Sequence, residues 1–238
     1  MRFCIVITAI ALSACASNGP TVTGTTVTAR CADLRTSTPD RAIAECSEVI
    51  RKDEKAYWAM VHRGMGYSAK GNYELALADY ERANVLKADD PVILANRGAT
   101  FSKRGEYDRA LADLNRVIAL APNHAAGYRF RAVMYARKGE FARAFPDIDK
   151  AMSLNPIDAN ILNDRAYINF KAGKPALGLP DVQKALELSP NNAFAIDTRG
   201  HIFEALGRRE EAKSDFRRAL AINPELKASQ EALKRLGG

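Results

Sequence analysis

The stretch from Pro91 to His124, PVILANRGATFSKRGEYDRALADLNRVIALAPNH, decides the fold. Its apolar residues Ile93, Leu94 and Phe101, then Leu111, Leu114, Val117, Ile118 and Leu120, recur at helical spacing, so two amphipathic helices are expected. Gly105 falls between them, where the end of a helix and the turn after it call for a residue free to take positive φ. Pro122 stops the second helix. The segment reads as a helical hairpin.

Stepping outward by 34 residues finds the same hairpin again. Arg63, Arg97, Arg131, Arg165 and Arg199 are spaced at that interval, and so are Asp79, Asp113, Asp147, Asp181 and Asp215. Gly71, Gly105, Gly139, Gly173 and Gly207 keep the same phase, as do Pro122, Pro156, Pro190 and Pro224. A period of this length marks stacked helical repeats. A lone hairpin cannot bury its apolar faces, so neighbours close the core, giving a right-handed solenoid with a concave and a convex surface. The expected class is therefore all-α: an α-α superhelix of five hairpins at residues 57–90, 91–124, 125–158, 159–192 and 193–226. A degenerate hairpin at 30–56 precedes them, with Thr38, Pro39 and Asp40 as cap, first-turn proline and acid before its second helix. Residues 227–238, carrying Ala228, Ala232, Leu233 and Leu236, read as a capping helix.

Small residue, two places, aromatic, then alanine and proline, here Gly98, Phe101, Ala110 and Pro122, resembles the tetratricopeptide repeat family. The fourth unit departs from that pattern. Asn169 replaces the aromatic and Gly178 the alanine, while Pro175 and Pro180 lie around the start of its second helix, so it is expected to be the loosest. The family consensus has apolar residues where this chain repeats Arg and Asp. Arg63, Arg97, Arg131, Arg165 and Arg199 are read as structural partners of Asp79, Asp113, Asp147, Asp181 and Asp215 across each hairpin, and not as a catalytic ladder.

The resemblance implies a partner groove lined by positions 2, 5, 9, 12 and 13 of each first helix. Mapped onto this chain, the candidates are Trp58, Lys103, Arg129, Arg137, Asn163, Tyr167, Phe170, Phe194 and His201. Aromatic side chains beside arginine suit a peptide or helix. Family members that clamp a terminal carboxylate use Asn at the ninth position. This chain has Met65, Ala99, Val133, Tyr167 and His201 there, which argues against that specificity.

With 47% hydrophobic and 26% charged residues among 238, the chain is an ordinary globular one. A formal charge of +7 is mildly basic and falls well short of a nucleic-acid tail. Three His at different repeat phases offer neither a metal site nor a catalytic base. Gly64, Gly66 and Ala69 fit a dinucleotide fingerprint on paper, but no strand precedes them. No enzyme, cofactor or metal is expected.

Residues 1–14 have one charge, Arg2, an apolar run from Phe3 to Leu12, and small residues before Cys15, the layout of a secretory signal. Leu12, Ser13, Ala14 and Cys15 resemble the lipobox of bacterial lipoproteins. That resemblance implies acylation at Cys15; the alternative is an ordinary cleavage site with a small residue nearby. Ala16 after the cysteine favours the outer membrane, facing the periplasm. Residues 15–29, rich in Thr, Ser, Gly and Val, read as a flexible tether. Cys31 and Cys46 then remain as one pair, which an oxidising space would let bridge, the alternative being two buried free thiols. The expected function is a non-enzymatic scaffold of the cell envelope, with another envelope protein as partner and the membrane reached through lipid. The rival reading is binding of an anionic envelope polymer or lipid by the basic middle repeats. The two differ in salt dependence.

Overall fold

The computed structural model describes Cys31 and residues 38–237, so the leader, Cys15 and the tether lie outside the described residues. All regular structure among the described residues is helical, and the fold class is all-α helical repeat. The chain divides into two compact units between Pro122 and Asn123. The first holds α1 (Pro39–Lys52), α2 (Tyr57–Ala69), α3 (Tyr73–Leu86), α4 (Pro91–Lys103) and α5 (Tyr107–Leu120). The second holds α6 (Ala125–Arg137), α7 (Phe141–Leu154), α8 (Ala159–Lys171), α9 (Pro175–Leu188), α10 (Ala193–Ala205), α11 (Arg209–Ile222) and α12 (Lys227–Arg235).

Each hairpin pairs a first helix with the one after it, α2 with α3 and α4 with α5, then α6 with α7, α8 with α9 and α10 with α11. The turn glycines Gly71, Gly105, Gly139, Gly173 and Gly207 all take φ between 74° and 81°, a region costly for any residue with a Cβ. First helices begin with side-chain caps where the sequence supplies them. Asp90 accepts from the backbone N–H of Val92 and Ile93, and Asp158 and Asn192 do the same for α8 and α10. Lys227 starts α12 in the phase of a first helix, and Pro39 starts α1 in the phase of a second. Cys31, ahead of α1, is itself helical, in the place expected for the first helix of the degenerate hairpin.

At the start, Cys31 and Cys46 are disulfide-bonded with Cα atoms 5.0 Å apart, both fully buried beside Met60, Tyr80 and Ile93. Farther along, the hairpins close through a small-against-large rule. A Cβ on Gly64 would come within 2.8 Å of Tyr80 Cε1, and one on Gly200 within 2.7 Å of Phe216 Cε1. Sixteen residues after Gly98, Ala132 and Ala166 stand the smaller Leu114, Ile148 and Val182, and there the first helix carries either alanine or a glycine with room to spare.

Five Arg–Asp pairs tie the two helices of each hairpin. Every arginine donates Nε and Nη2 to the two carboxylate oxygens, at 2.6 to 2.9 Å. The Asp side chains are 5 to 12% exposed and the Arg side chains 18 to 31%. Hydrogen bonding to the carboxylate raises each guanidinium pKa further, so the arginines stay charged at any physiological pH.

The fourth hairpin keeps both its helices despite its prolines. Pro175 occupies the first turn of α9, where its missing N–H is not needed, and the helix runs unbroken through Pro180 to Leu188. Gly178 does not loosen the pair. A Cβ there would sit 2.7 Å from the Ala166 carbonyl oxygen, so α8 and α9 approach more closely than an alanine permits. Asn169 fills the aromatic position by turning Nδ2 back to the Arg165 carbonyl at 3.2 Å.

Candidate functional site

The predicted groove residues fall on both units. In the first, Trp58 is half-buried, packs against the cluster around the disulfide, and meets His62 edge-on with ring centroids 6.2 Å apart. Lys103 does not stand alone in solvent. Its Nζ reaches back from α4 to Ser68 on α2, at 3.5 Å from the carbonyl and 3.4 Å from Oγ, and Thr100 Oγ1 donates to the same hydroxyl at 3.1 Å. Burial lowers the Lys103 pKa. This lysine joins two first helices, a role its place in the repeat did not reveal.

In the second unit the first helices α6, α8 and α10 pack in sequence. Arg129 on α6 lies over the Phe130 ring, 4.3 Å from its centroid, with Nε 3.6 Å from Asp164 Oδ2 on α8. Burial pushes the Asp164 carboxyl up to about 6 against the pull of Arg129. Asn163 is 8% exposed rather than open to the groove; its Nδ2 meets Asp164 Oδ1 at 3.4 Å, while its Oδ1 has no hydrogen-bond partner among the described residues.

One turn farther along α8 the face becomes aromatic. Tyr167 is half-buried, and Phe170 stacks on His201 of α10 at 5.7 Å with 20° between planes. His201 also meets Phe216 edge-on at 4.8 Å and lies 3.7 Å from both Asp197 and Glu204. Phe194 on the same helix is 62% exposed, a large ring left in water. Arg137 and Lys171, the last residues of α6 and α8, are exposed and make no hydrogen bond or salt bridge among the described residues.

Two acids of α10 are already taken. The Ser229 hydroxyl on α12 donates to Asp197, and Arg235 holds Glu204 through two bonds of 2.8 Å. Ser229 and Arg235 were not among the sequence candidates. The signal was available, since α12 keeps the phase of a first helix and should face α10 as α10 faces α8. Asp164 was also missed. It sits at a position occupied by His62, Asn96, Phe130 and Thr198 in the other units, so periodicity gives no reason to single it out. Among the described residues there is no group of three or more metal-ligating side chains, and no helix is long and apolar enough to cross a membrane.

Stacked hairpins presenting a file of first helices define an all-α repeat protein with the fold of protein–protein interaction scaffolds. The tetratricopeptide repeat family matches residues 91–124 and again 193–226. The chain therefore contains tetratricopeptide repeats. A thermophilic tetratricopeptide protein of Thermus thermophilus is similar in structure at 23% identity and a TM-score of 0.67, over 76% of this chain and 97% of that one. PilW, described as a widely conserved type IV pilus biogenesis factor, is similar at 18% identity and a TM-score of 0.67, over 82% and 90%. YrrB, described as having an unusual peptide-binding site, is similar at 17% identity and a TM-score of 0.50, over 79% and 97%. At these identities the likeness is one of fold. No curated protein matches the chain.

Proposed function

We propose that the chain is a non-enzymatic adaptor of the bacterial envelope, anchored by lipid at Cys15, that holds a peptide or helical segment of another envelope protein against α6, α8 and α10. The observation that carries the reading is Phe194, 62% exposed on the helix that also bears the stacked His201. A phenylalanine in water is costly, and aromatic residues at a polar-rimmed face are the usual anchors of interfaces. A fold shared with a protein that has a peptide-binding site and with a pilus biogenesis factor supports it. The buried disulfide favours an oxidising compartment, and the residues around Cys15 suggest the anchor. By resemblance to bacterial lipoproteins, Ala16 after Cys15 favours attachment to the outer membrane.

Crosslinking and pull-down from native membranes test the adaptor. Phe194→Ala and Tyr167→Ala should each reduce recovery of the same partner by about tenfold, as loss of an aromatic anchor does. Equal recovery would exclude this face. Labelled palmitate should enter the wild type and not Cys15→Ala. Binding of an anionic envelope polymer or lipid is the second reading, favoured by the exposed Arg137 and Lys171. It requires that binding collapse with salt and survive loss of Phe194.

A further inference from the structure

Along the first helices of the second unit, the acids are paired internally while two exposed cations form no ion pair among the described residues. Asp164 faces Arg129 and also feels the more distant charge of Arg137, Asp197 accepts from Ser229, and Glu204 is held by Arg235. Arg137 and Lys171 remain exposed, with no carboxylate within salt-bridge distance among the described residues. They occupy one register position on two helices that pack together, whose axes in such stacks run roughly 8–10 Å apart, so both side chains can converge on one stretch of ligand. Lys171 is also one helical turn beyond Tyr167 and directly follows Phe170, which places charge and aromatic surface side by side.

Cations at helix C-termini often only offset the helix dipole. The neighbouring first helix argues that more is involved here: α10 ends in Ala205 at the equivalent position and needs no cation. We propose that Arg137 and Lys171 form an anion-reading pair beside the aromatic face, and that the segment bound there is an acidic peptide, carrying Asp or Glu within a few residues of a bulky apolar side chain. The inference rests on the groove reading above and names the chemistry of its partner. The guanidinium can take a carboxylate through two parallel hydrogen bonds, while the lysine supplies a second, mobile charge. The bulky side chain then lies on Tyr167 and Phe170.

The test uses the full chain with fluorescent peptides of about a dozen residues, each with one Phe or Leu and with Glu, Gln or Lys placed at increasing distances from it. Glu peptides should bind about five- to tenfold more tightly than their Gln counterparts, with the preference shrinking as salt rises. The double variant Arg137→Glu, Lys171→Glu should lose that preference and favour Lys peptides. Both residues are exposed, and an unchanged circular dichroism spectrum shows that the variant is folded. Equal binding of Glu and Gln peptides, or no effect of charge reversal, overturns the anion-reading pair while leaving the groove intact. Binding of polyphosphate as tightly as of a Glu peptide, with or without Tyr167→Ala, overturns the peptide in favour of a polymer. No binding by any peptide overturns this inference and the groove reading together.

Discussion

The ring of Phe216 occupies the space where a side chain on Gly200 would begin, 2.7 Å from an ideal Cβ to Phe216 Cε1. The partner at Gly98 is the smaller Leu114 residue, and the nearest atoms to a Cβ there lie at 3.4 Å. The family pattern allows either glycine or alanine at this place, and the residue sixteen farther on decides which.

Two glycine substitutions should therefore differ in sign. Gly200→Ala should destabilise the chain by about 1–3 kcal/mol through overpacking against a buried ring. Gly98→Ala should be neutral, or stabilising by up to about 1 kcal/mol, since alanine favours a helix and nothing has to move. Urea unfolding of both variants checks the contrast.

Asp113 accepts two bonds from Arg97 with its side chain only 8% exposed. Asp113→Ala should cost about 3 kcal/mol, because it strands a partly buried guanidinium. Arg97→Met with Asp113→Leu should recover part of that loss. A single variant that melts with the wild type would show the pair contributes nothing.

For Asp164 the sign of the pH effect is fixed by its raised pKa. The folded chain holds this proton more tightly than the unfolded chain, whose Asp titrates near 4. The contribution to stability is therefore greatest below that value and declines as pH rises toward about 6. In Asp164→Asn the decline should disappear, shifting the stability difference between variant and wild type by on the order of 2 kcal/mol in the variant's favour across the window. Denaturant melts at steps from pH 4 to 7 measure it directly.

Reducing the Cys31–Cys46 bond should act locally. A closed loop with a sequence separation of 15 is worth about 3 kcal/mol in the chain-entropy model. Amides of α1 should lose exchange protection first, those of α8 to α11 keeping theirs. Loss of protection throughout would mean that the end is needed to hold the whole array.

Arg63, Gly71 and their equivalents every 34 residues made the helices, turns and hairpin pairing legible, because a repeat imposes the same physical demand at each occurrence. The groove was legible only as positions. Trp58 and Lys103 are engaged by neighbouring helices, Arg129 faces Asp164, and Asn163 is buried. Pro180 was legible as a proline near a helix start, but that Gly178 brings α9 against the α8 backbone is a contact only coordinates show.

What the sequence determined by itself was the all-α repeat, since helical period, turn glycines and stop prolines are local demands that each residue meets within its own hairpin. What only the tertiary structure decided was which inner-face charges are still available. That depends on side chains more than thirty positions apart, such as Glu204 and Arg235, and a carboxylate satisfied by a neighbour reads in the sequence like one left open.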